Sequence, residues 1–532
     1  MASQSISIFV YRAAGAGQRR RGPLQSAYRY DEGGSVRKND IKPWVLRYED
    51  VEEFYCSADV VICGYGGAGA SAALEARRAG ADVLVLERAS GGGGATAMSS
   101  CEMYLGGSGG TAVQKALGLE DSTENMIAYL SECFGPNGDA EKIRLYAQGA
   151  AAHFDWAESL GVPYKREAIY ERAVEPFGDE SLLFTGNERA YPFNRVATPI
   201  PRGHVPSREG NQGGKVFMQA LMARVEAEGV RVQADARVTA LLQDDAGRVR
   251  GAVVKIEGRE CAVEATRGVI LSAGGFVMNS DMVADHAAHV LPYATPYGSP
   301  GDLGDGIQMG IAAGGNTVNM SEVFLSLAIY PPAKLTHGIL VNAQGQRFIN
   351  EDAYLARLAH YAVQQERQEV YLLVQNEDYE PSLYMERLRI AGTGDTIAEV
   401  EAEAQLPEGS LQATVAYFNR HAQQGEDPLF HKAPEWLKPL DKPPFALVSY
   451  CPREVKYPMG NERGYVMFTL GGLETLPTGE VLTAGGAVIP GLYAAGRTSA
   501  GLPRTASGYA SGMSVGDATF FGRLAGKQAA TR

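Results

Sequence analysis

The sequence predicts an α/β protein built on a Rossmann-like parallel sheet, and three observations predict it. First, the apolar, β-branched residues 58–63 are typical of a buried parallel strand. Second, this run leads directly into GYGGAG (residues 64–69), which is followed by an alanine-rich helical pattern that stops at Gly80. Third, another apolar run (residues 82–86) ends at Glu87, about twenty positions beyond the first glycine. A strand, a glycine turn, a helix and a strand in this order indicate a dinucleotide-binding fingerprint.

Each part of this fingerprint has a physical reason. Glycines let the chain turn tightly and let backbone N–H groups approach a pyrophosphate, which then lies at the N-terminus of the helix. An acidic residue at the end of the second strand accepts hydrogen bonds from ribose hydroxyls. The cofactor contacts that we predict here are Gly64, Gly66, Gly67, Ala68, Gly69, Glu87 and Arg88.

Composition and charge exclude several other classes of protein. The chain has 532 residues and a net charge of -13, and an acidic chain is a poor candidate for binding nucleic acid. It contains no run of about 18 apolar residues, so we expect no membrane span. Its six cysteines are scattered without a C-x-x-C pair, so we expect neither disulfides nor a metal site. We predict a cytoplasmic protein.

The N-terminal residues differ from the rest of the chain. Residues 1–44 hold eight Lys or Arg against three Asp or Glu. No apolar segment follows Arg19-Arg20-Arg21, so we expect neither a secretory nor a twin-arginine signal. We interpret residues 1–50 as a solvated basic arm, or as one that Tyr28, Tyr30 and Trp44 hold on the body of the protein.

Further segments resemble the fumarate reductase-type flavoproteins. They are the glycine loop at 91–100, the strand and turn at 268–276, and the C-terminal segments at 491–496 and 511–518. The resemblance implies FAD as the cofactor, a glutathione-reductase-type FAD domain, and an inserted α+β catalytic capping domain. It adds the following predicted FAD contacts: Thr96, Ala97, Met98, Ser99, Val238, Ala273, Gly274, Gly496, Gly512, Met513 and Ser514.

The resemblance also implies a split cofactor domain, with residues 51–290 and 446–532 binding FAD and residues 291–445 forming the cap. A helix beginning at Gly512 would direct its N–H groups at the pyrimidine edge of the flavin. Relatives with covalent FAD carry a flavin-linked His soon after the ribose Glu, whereas the first His here is His153. We therefore expect FAD to be bound non-covalently.

Two branches of this family differ in substrate. Reductases of unsaturated dicarboxylates need several arginines, for which Arg504 and Arg202 are the candidates here. However, the sequence around Arg504 lacks the Asn-Arg-Leu-Gly-Gly-Asn pattern of that branch, and Phe468 occupies the position where that branch has a His. An apolar Phe at this position favours an apolar substrate.

The other branch contains the 3-ketosteroid dehydrogenases. GYASGMS (residues 508–514) resembles the C-terminal signature of their Δ4-(5α) subgroup, and RFINEDAY (residues 347–354) resembles their R-F-x-N-E element. The resemblance implies that Tyr509 polarises the C3 oxygen and that Ser511, relayed by Tyr354, takes the C4 proton while a hydride leaves C5 for flavin N5. Tyr361 is an alternative to Tyr354, and we interpret His204, His337 and Asn350-Glu351 as structural.

The sequence leaves several alternatives open. Within the steroid branch they are a Δ1-dehydrogenase and a Δ4-reductase, because the direction of the reaction cannot be read from residues. Outside it they are a fumarate reductase-like enzyme for unsaturated carboxylates and a flavin-dependent electron carrier without a substrate. For the leading interpretation, an enzyme of steroid catabolism, the partners are a hydrophobic small-molecule substrate and an external electron acceptor. Because neither hydroxyl is basic alone, we expect activity to rise with pH.

Overall fold

A computed structural model of the protein describes residues 43–208, 212–386, 388–456 and 464–531. Residues 1–42 of the predicted basic arm, with Tyr28 and Tyr30, lie outside the described residues. The last part of that arm joins the body of the protein, because Leu241 N donates to Trp44 O at 2.9 Å and residues 45–47 form a strand.

The described chain contains both helices and strands. The helices are α1 (Gly67–Arg78), α2 (Gly94–Met98), α3 (Ala112–Ala116), α4 (Thr123–Phe134), α5 (Ala140–Ser159), α6 (Phe193–Val196), α7 (Gly213–Ala227), α8 (Ser280–Ala287), α9 (Asp305–Ala312), α10 (Leu355–Ala362), α11 (Ile397–Glu403), α12 (Ser410–Ala422) and α13 (Met513–Thr531). The strands are β1 (Val45–Arg47), β2 (Cys56–Cys63), β3 (Val83–Leu86), β4 (Met103–Tyr104), β5 (Ala168–Ile169), β6 (Leu182–Leu183), β7 (Gly203–His204), β8 (Arg231–Gln233), β9 (Ala236–Gln243), β10 (Val249–Ile256), β11 (Arg259–Leu271), β12 (Ala294–Pro296), β13 (Thr317–Val318), β14 (Val323–Ser326), β15 (Ile339–Asn342), β16 (Val370–Gln375), β17 (Ile390–Gly394), β18 (Phe445–Ser449), β19 (Tyr465–Thr469), β20 (Gly472–Leu473), β21 (Glu480–Leu482) and β22 (Val488–Ala494).

The central sheet combines parallel and antiparallel strands. Its order is β1-β9-β10-β11-β2-β3-β8, with β22 added beside β11 and β21 beside β22. Strands β11, β2, β3 and β8 run parallel, and so do β11 and β22, whereas β10 is antiparallel to both of its neighbours. The first half of β11 pairs with β10 and its second half with β22 and β2. The predicted strands at 58–63 and 82–86 are confirmed as β2 and β3.

The two ends of the FAD-type sequence pattern pack against each other through α1 and α13. A Cβ atom on Gly522 would lie 2.6 Å from Ala68 O, and one on Gly526 would lie 2.1 Å from Ala72 O. Only glycine permits this distance between the two helices, since a real Cβ atom does not come so close to a carbonyl oxygen. The C-terminal helix is therefore fixed on the fingerprint helix.

The segment between the two parts of the main sheet has sheets of its own. Strands β15, β16, β18 and β17 form an antiparallel sheet in that order, and its apolar side chains cluster with those of α11 and α12. A smaller sheet, β12-β19-β14, pairs Phe324 of β14 with Phe468 of β19. This small sheet brings both rings to the site described next.

Candidate active site

A cleft of about 440 Å³ lies at the carboxyl ends of β2 and β3, where ligands bind in open α/β sheets. Most of the predicted FAD contacts line it, although they come from distant parts of the sequence. Those that line the cleft are Gly64, Gly66, Gly67, Ala68, Glu87, Arg88, Thr96, Met98, Ser99, Val238, Ala273, Gly274, Gly496, Gly512 and Ser514.

Three predicted contacts do not line the cleft and have packing roles instead. A Cβ atom on Gly69 would lie 2.0 Å from Gly64 O, so this glycine lets α1 begin close to β2. Met513 is fully buried, and its Sδ accepts a hydrogen bond from Ala510 N at 3.4 Å. Ala97 packs on the hydrophobic core. All three therefore pack behind the residues that line the cleft.

The fingerprint loop keeps its backbone close to the cleft. Gly64 has φ +108°, a left-handed conformation, and a Cβ atom there would lie 2.6 Å from Ser272 O. Thr96 Oγ1 accepts a hydrogen bond from Gly67 N at 3.3 Å, which joins the 91–100 loop to the fingerprint. Thr96 thus occupies the N–H group of Gly67, and the N–H groups that follow it in the first turn of α1 are those that would face a pyrophosphate.

Glu87 is held in place by its own neighbourhood. Its two carboxylate oxygens accept hydrogen bonds from Tyr65 N and Ala89 N, each at 2.8 Å. A carboxylate oxygen has a second lone pair, so both oxygens can also accept from ribose hydroxyls. The structure thus fixes the orientation that this role requires.

The first turn of α13 lines the cleft. The helix begins at Met513, one residue after the start predicted from sequence. The residues of this region that line the cleft are Gly512, Ser514, Val515 and Ala518. Gly512 has φ +95°, and its carbonyl accepts from Tyr104 N at 3.1 Å. The N-terminal end of a helix attracts negative charge, which suits a flavin ring that becomes anionic on reduction.

Tyr509 lies in an aromatic wall of the cleft. Its ring meets those of Phe324 and Phe468 edge to face, with centroids 4.9 Å and 5.6 Å away, and the two phenylalanines stack at 4.4 Å. Its hydroxyl donates to Ser514 Oγ at 2.9 Å. Burial raises the pKa of Tyr509 to about 12, so the phenol is neutral and able to donate.

Ser511 and Tyr354 are in direct contact, since their hydroxyl oxygens are 2.5 Å apart. Burial raises the pKa of Tyr354 well above that of a free phenol. Tyr354 is 2% exposed, whereas Ser511 lines the cleft. Neither Tyr354 nor the alternative, Tyr361, lines the cleft, and Tyr361 packs its ring against His360. Of the two tyrosines, Tyr354 is thus the one beside Ser511.

One short segment holds both members of this pair. Thr185 O accepts from Ser511 N at 2.9 Å, and Thr185 Oγ1 donates to Ser511 O at 2.8 Å. Asn187 Oδ1 accepts from Tyr354 N at 2.8 Å. These bonds use backbone groups of the pair and leave its hydroxyls facing each other.

Neither arginine proposed for a carboxylate substrate is in the cleft. Arg202 is fully buried and donates to both oxygens of Asp121 at 2.7 Å. Arg504 donates from Nε to Gly501 O at 2.9 Å and lies 3.6 Å from Asp139. The cleft-lining arginines of the described chain are each within ion-pair distance of an aspartate: Arg497 of Asp302, and Arg88 and Arg237 of Asp305. This arrangement disfavours a dicarboxylate substrate.

The polar residues interpreted as structural have buried partners. His204 lies between Thr111 Oγ1 and Arg202 O, at 2.7 Å and 2.9 Å, and burial lowers its pKa to about 4. His337 Nδ1 is 3.3 Å from Trp436 O. Glu351 is fully buried and accepts two hydrogen bonds from Arg347.

Sequence reasoning missed several residues of the cleft, chiefly Glu102, Tyr297, Asp302, Phe324 and Arg497. The turn-rich text around Asp302 was the available signal for that residue. Nothing in a single sequence distinguishes the others.

In the described ranges, no group of three or more His, Cys, Asp or Glu is placed to hold a metal ion. The helices of the described chain are all too short or too polar to cross a bilayer.

The fold and the cleft define a class of flavin-binding oxidoreductases, and comparison with known families gives the same result. Residues 59–512 match the family described as FAD binding domain, and the chain belongs to this family. The predicted α/β fold, FAD as cofactor and the resemblance to fumarate reductase and ketosteroid dehydrogenase flavoproteins are confirmed.

Individual relatives indicate which enzymes of this class the chain is similar to. A crystal structure of the 3-ketosteroid Δ4-(5α)-dehydrogenase from Rhodococcus jostii RHA1, in complex with 4-androstene-3,17-dione, is 40% identical with a TM-score of 0.85 and covers 92% of this chain and 100% of its own. The 3-oxo-5α-steroid 4-dehydrogenase of Comamonas testosteroni is 27% identical over 83% of this chain and 92% of its own. A cytochrome-type fumarate reductase of Shewanella frigidimarina is 25% identical over 89% and 77%.

Proposed function

We propose that the protein is an FAD-dependent dehydrogenase that introduces the C4–C5 double bond into 3-oxo-5α-steroids. The observation that supports this best is the 2.5 Å contact between the buried Tyr354 and Ser511, which lines the same cleft as Tyr509. It gives one neutral donor for a ketone and one hydroxyl pair for the neighbouring proton. The Rhodococcus and Comamonas relatives, both steroid dehydrogenases by name, support the same substrate class.

The cleft fits FAD along its length. The start of α1 would hold the pyrophosphate, Glu87 the ribose and Val238 the adenine, and the first turn of α13 would lie at the pyrimidine edge; residues of all four parts line the cleft. Non-covalent binding of FAD is part of this proposal, and the absence of the described histidines from the cleft lining supports it. When bound, FAD supplies the acceptor for the hydride that leaves C5.

Tyr509 donates a hydrogen bond to the C3 oxygen of the substrate. This bond stabilises the negative charge that develops on that oxygen as the C4 proton leaves. The phenylalanine pair packs against the buried Tyr509, and a hydrogen bond in a buried site is stronger than one in water. To reach the substrate, the Tyr509 hydroxyl exchanges its bond to Ser514 for one to the ketone.

Ser511 takes the C4 proton with the help of Tyr354. The hydrogen bond between the two hydroxyls lets one pass a proton to the other as charge develops on Ser511 Oγ. Thr185 and Asn187 position the pair through its backbone. With this assignment, residues 51–290 and 446–532 are the FAD domain, residues 291–445 the catalytic cap, and residues 1–50 an arm of a cytoplasmic protein.

The test is anaerobic addition of 5α-androstane-3,17-dione to the FAD-loaded protein. We expect the visible flavin absorption to bleach and androst-4-ene-3,17-dione to form. A Δ1 product would reassign the position of the double bond within the same branch. Failure to bleach, together with reoxidation of the reduced flavin by fumarate, would overturn the steroid assignment.

A further inference from the structure

The proposed chemistry needs a proton acceptor that the two hydroxyls do not provide. A serine hydroxyl and a buried phenol are both very weak bases at neutral pH. Glu102 is a cleft-lining carboxyl group whose charge acts on both Tyr354 and Tyr509. Resting on the proposed function, we propose that the Glu102 carboxylate receives the substrate proton from the Tyr354–Ser511 pair.

The position of Glu102 is the first argument. Its side chain is 7% exposed and lines the same cleft as Tyr509 and Ser511. A Cβ atom on Gly512, the residue after Ser511, would lie 3.0 Å from the carbonyl carbon of Glu102. Tyr104 N also donates to Gly512 O at 3.1 Å. The backbone of Glu102 is therefore packed against the segment that carries Ser511.

The bonding of Glu102 is the second argument. Both of its carboxylate oxygens lie 2.6 Å from Ser100 Oγ, which donates its one proton to the carboxylate. Within the described ranges, no Lys or Arg side chain is among the groups that shift its pKa. A buried carboxylate without a cationic partner is rare in proteins, because burial without a counter-ion favours the neutral acid. Such a group exchanges a proton readily near neutral pH.

The surrounding titratable groups reinforce this property. Burial, and then the like charge of Glu175, raise the pKa of Glu102 to about 7, against the hydrogen bond from Ser100, which lowers it. Tyr384 donates to Glu175 at 2.5 Å. The groups that feel the charge of Glu102 are Cys101, Tyr297, Tyr354, Tyr384 and Tyr509, and it raises the pKa of each.

The proton and electron balance is simple. The C4–H bond breaks, its electron pair becomes the C4–C5 double bond, and the hydride lost from C5 reduces FAD. Ser511 Oγ receives the C4 proton and gives up a hydroxyl proton, so the Tyr354–Ser511 pair ends as it began. The proton given up goes to the Glu102 carboxylate, which becomes a neutral acid and later releases it to solvent.

The experiment measures the rate of anaerobic flavin reduction by 5α-androstane-3,17-dione from about pH 5 to pH 9. In the unchanged protein the rate rises through a midpoint near pH 7, because the ionised carboxylate is the active form. Glu102→Gln lowers the plateau about a hundredfold and abolishes this midpoint. Glu102→Asp restores a midpoint. Glu480→Gln, which removes a buried carboxyl that does not line the cleft, leaves the midpoint in place.

Two more variants distinguish a proton acceptor from a merely structural residue. Ser100→Ala removes the bond that lowers the Glu102 pKa, so the midpoint moves to higher pH. Glu175→Gln removes the like charge that raises this pKa, so the midpoint moves to lower pH. Opposite shifts of one midpoint do not arise from loosened packing, and both variants remain informative if Glu102→Gln fails to fold.

A second readout needs no turnover. Infrared difference spectra of the resting, FAD-loaded protein show the C=O band of a neutral carboxylic acid that titrates near pH 7, and Glu102→Gln lacks it. A midpoint or a band that survives in Glu102→Gln overturns the inference. Absence of flavin reduction by the steroid in the unchanged protein overturns the proposed function instead, while the infrared titration still decides whether Glu102 changes protonation.

Discussion

Tyr354 and Ser511 are 157 residues apart in the chain, yet their hydroxyl oxygens are 2.5 Å apart in the structure. Tyr354 immediately precedes α10, and only Gly512 stands between Ser511 and the start of α13. Both are fixed by the segment around Thr185 and Asn187, which belongs to neither helix. The hydroxyl pair is thus assembled from three separate parts of the chain.

Because the two hydroxyls act as one unit, removing either should cost about as much as removing both. Tyr354→Phe and Ser511→Ala should each slow flavin reduction by about a hundredfold or more. The double variant should be no slower than the slower single variant. Stopped-flow absorbance with the steroid measures all three rates. Two penalties that multiply in the double variant would show that the hydroxyls act independently.

Tyr509→Phe removes the donor to the C3 oxygen but keeps the ring between Phe324 and Phe468. We expect the reduction rate to fall by about a hundredfold to a thousandfold, the range for loss of one oxyanion donor. FAD content should be unchanged, as measured from the flavin spectrum after purification. Tyr361→Phe is the matched control and should react at the original rate. Equal rates for the Tyr509 and Tyr361 variants would remove Tyr509 from the mechanism.

The buried His204 makes stability depend on pH. Its pKa is lowered to about 4 in the folded state, whereas that of an unfolded His is about 6.5, so the unfolded chain binds more protons between these values. Stability from this group is complete above the upper value and falls by about 3 kcal/mol as pH drops to the lower one. His204→Gln should flatten this part of the profile, as measured by denaturant unfolding at several pH values. A profile parallel to that of the unchanged protein would exclude the effect.

The contact between α1 and α13 should tolerate no side chain at Gly526. Gly526→Val places atoms into Ala72 O and forces the helices apart, which should cost about 1–3 kcal/mol or more. Because the first turn of α13 lines the cleft, FAD should also be held less tightly. Thermal unfolding and flavin release on dilution measure the two effects. Gly485→Ala, at a glycine with open surroundings, serves as the control and should change neither.

Local sequence patterns predicted the parts of the site whose residues are close together in the sequence. The strand, the glycine turn and Glu87 lie within thirty residues or so, and their chemistry follows from backbone geometry alone. Phe324 and Glu102 were not predicted, because their place in the cleft depends on β14 pairing with β19 and on Glu102 meeting Gly512. Thr185 and Asn187 bind backbone groups of Ser511 and Tyr354. Almost every residue type has such backbone groups, so the sequence gives no sign of these contacts. Tyr354 was found only through the family resemblance.

The fixed contact of α13 on α1 has a consequence for how the protein is made. A ribosome releases the fingerprint strand and helix long before α13, because α13 follows them at a great distance along the chain. Until then one wall of the cleft is missing, and the small-residue surface of α1 is uncovered. The nascent chain therefore cannot hold its cofactor in the finished way, and capture of FAD is completed only after translation of the C-terminal helix. During that interval the surface of α1 that α13 later covers is exposed to solvent.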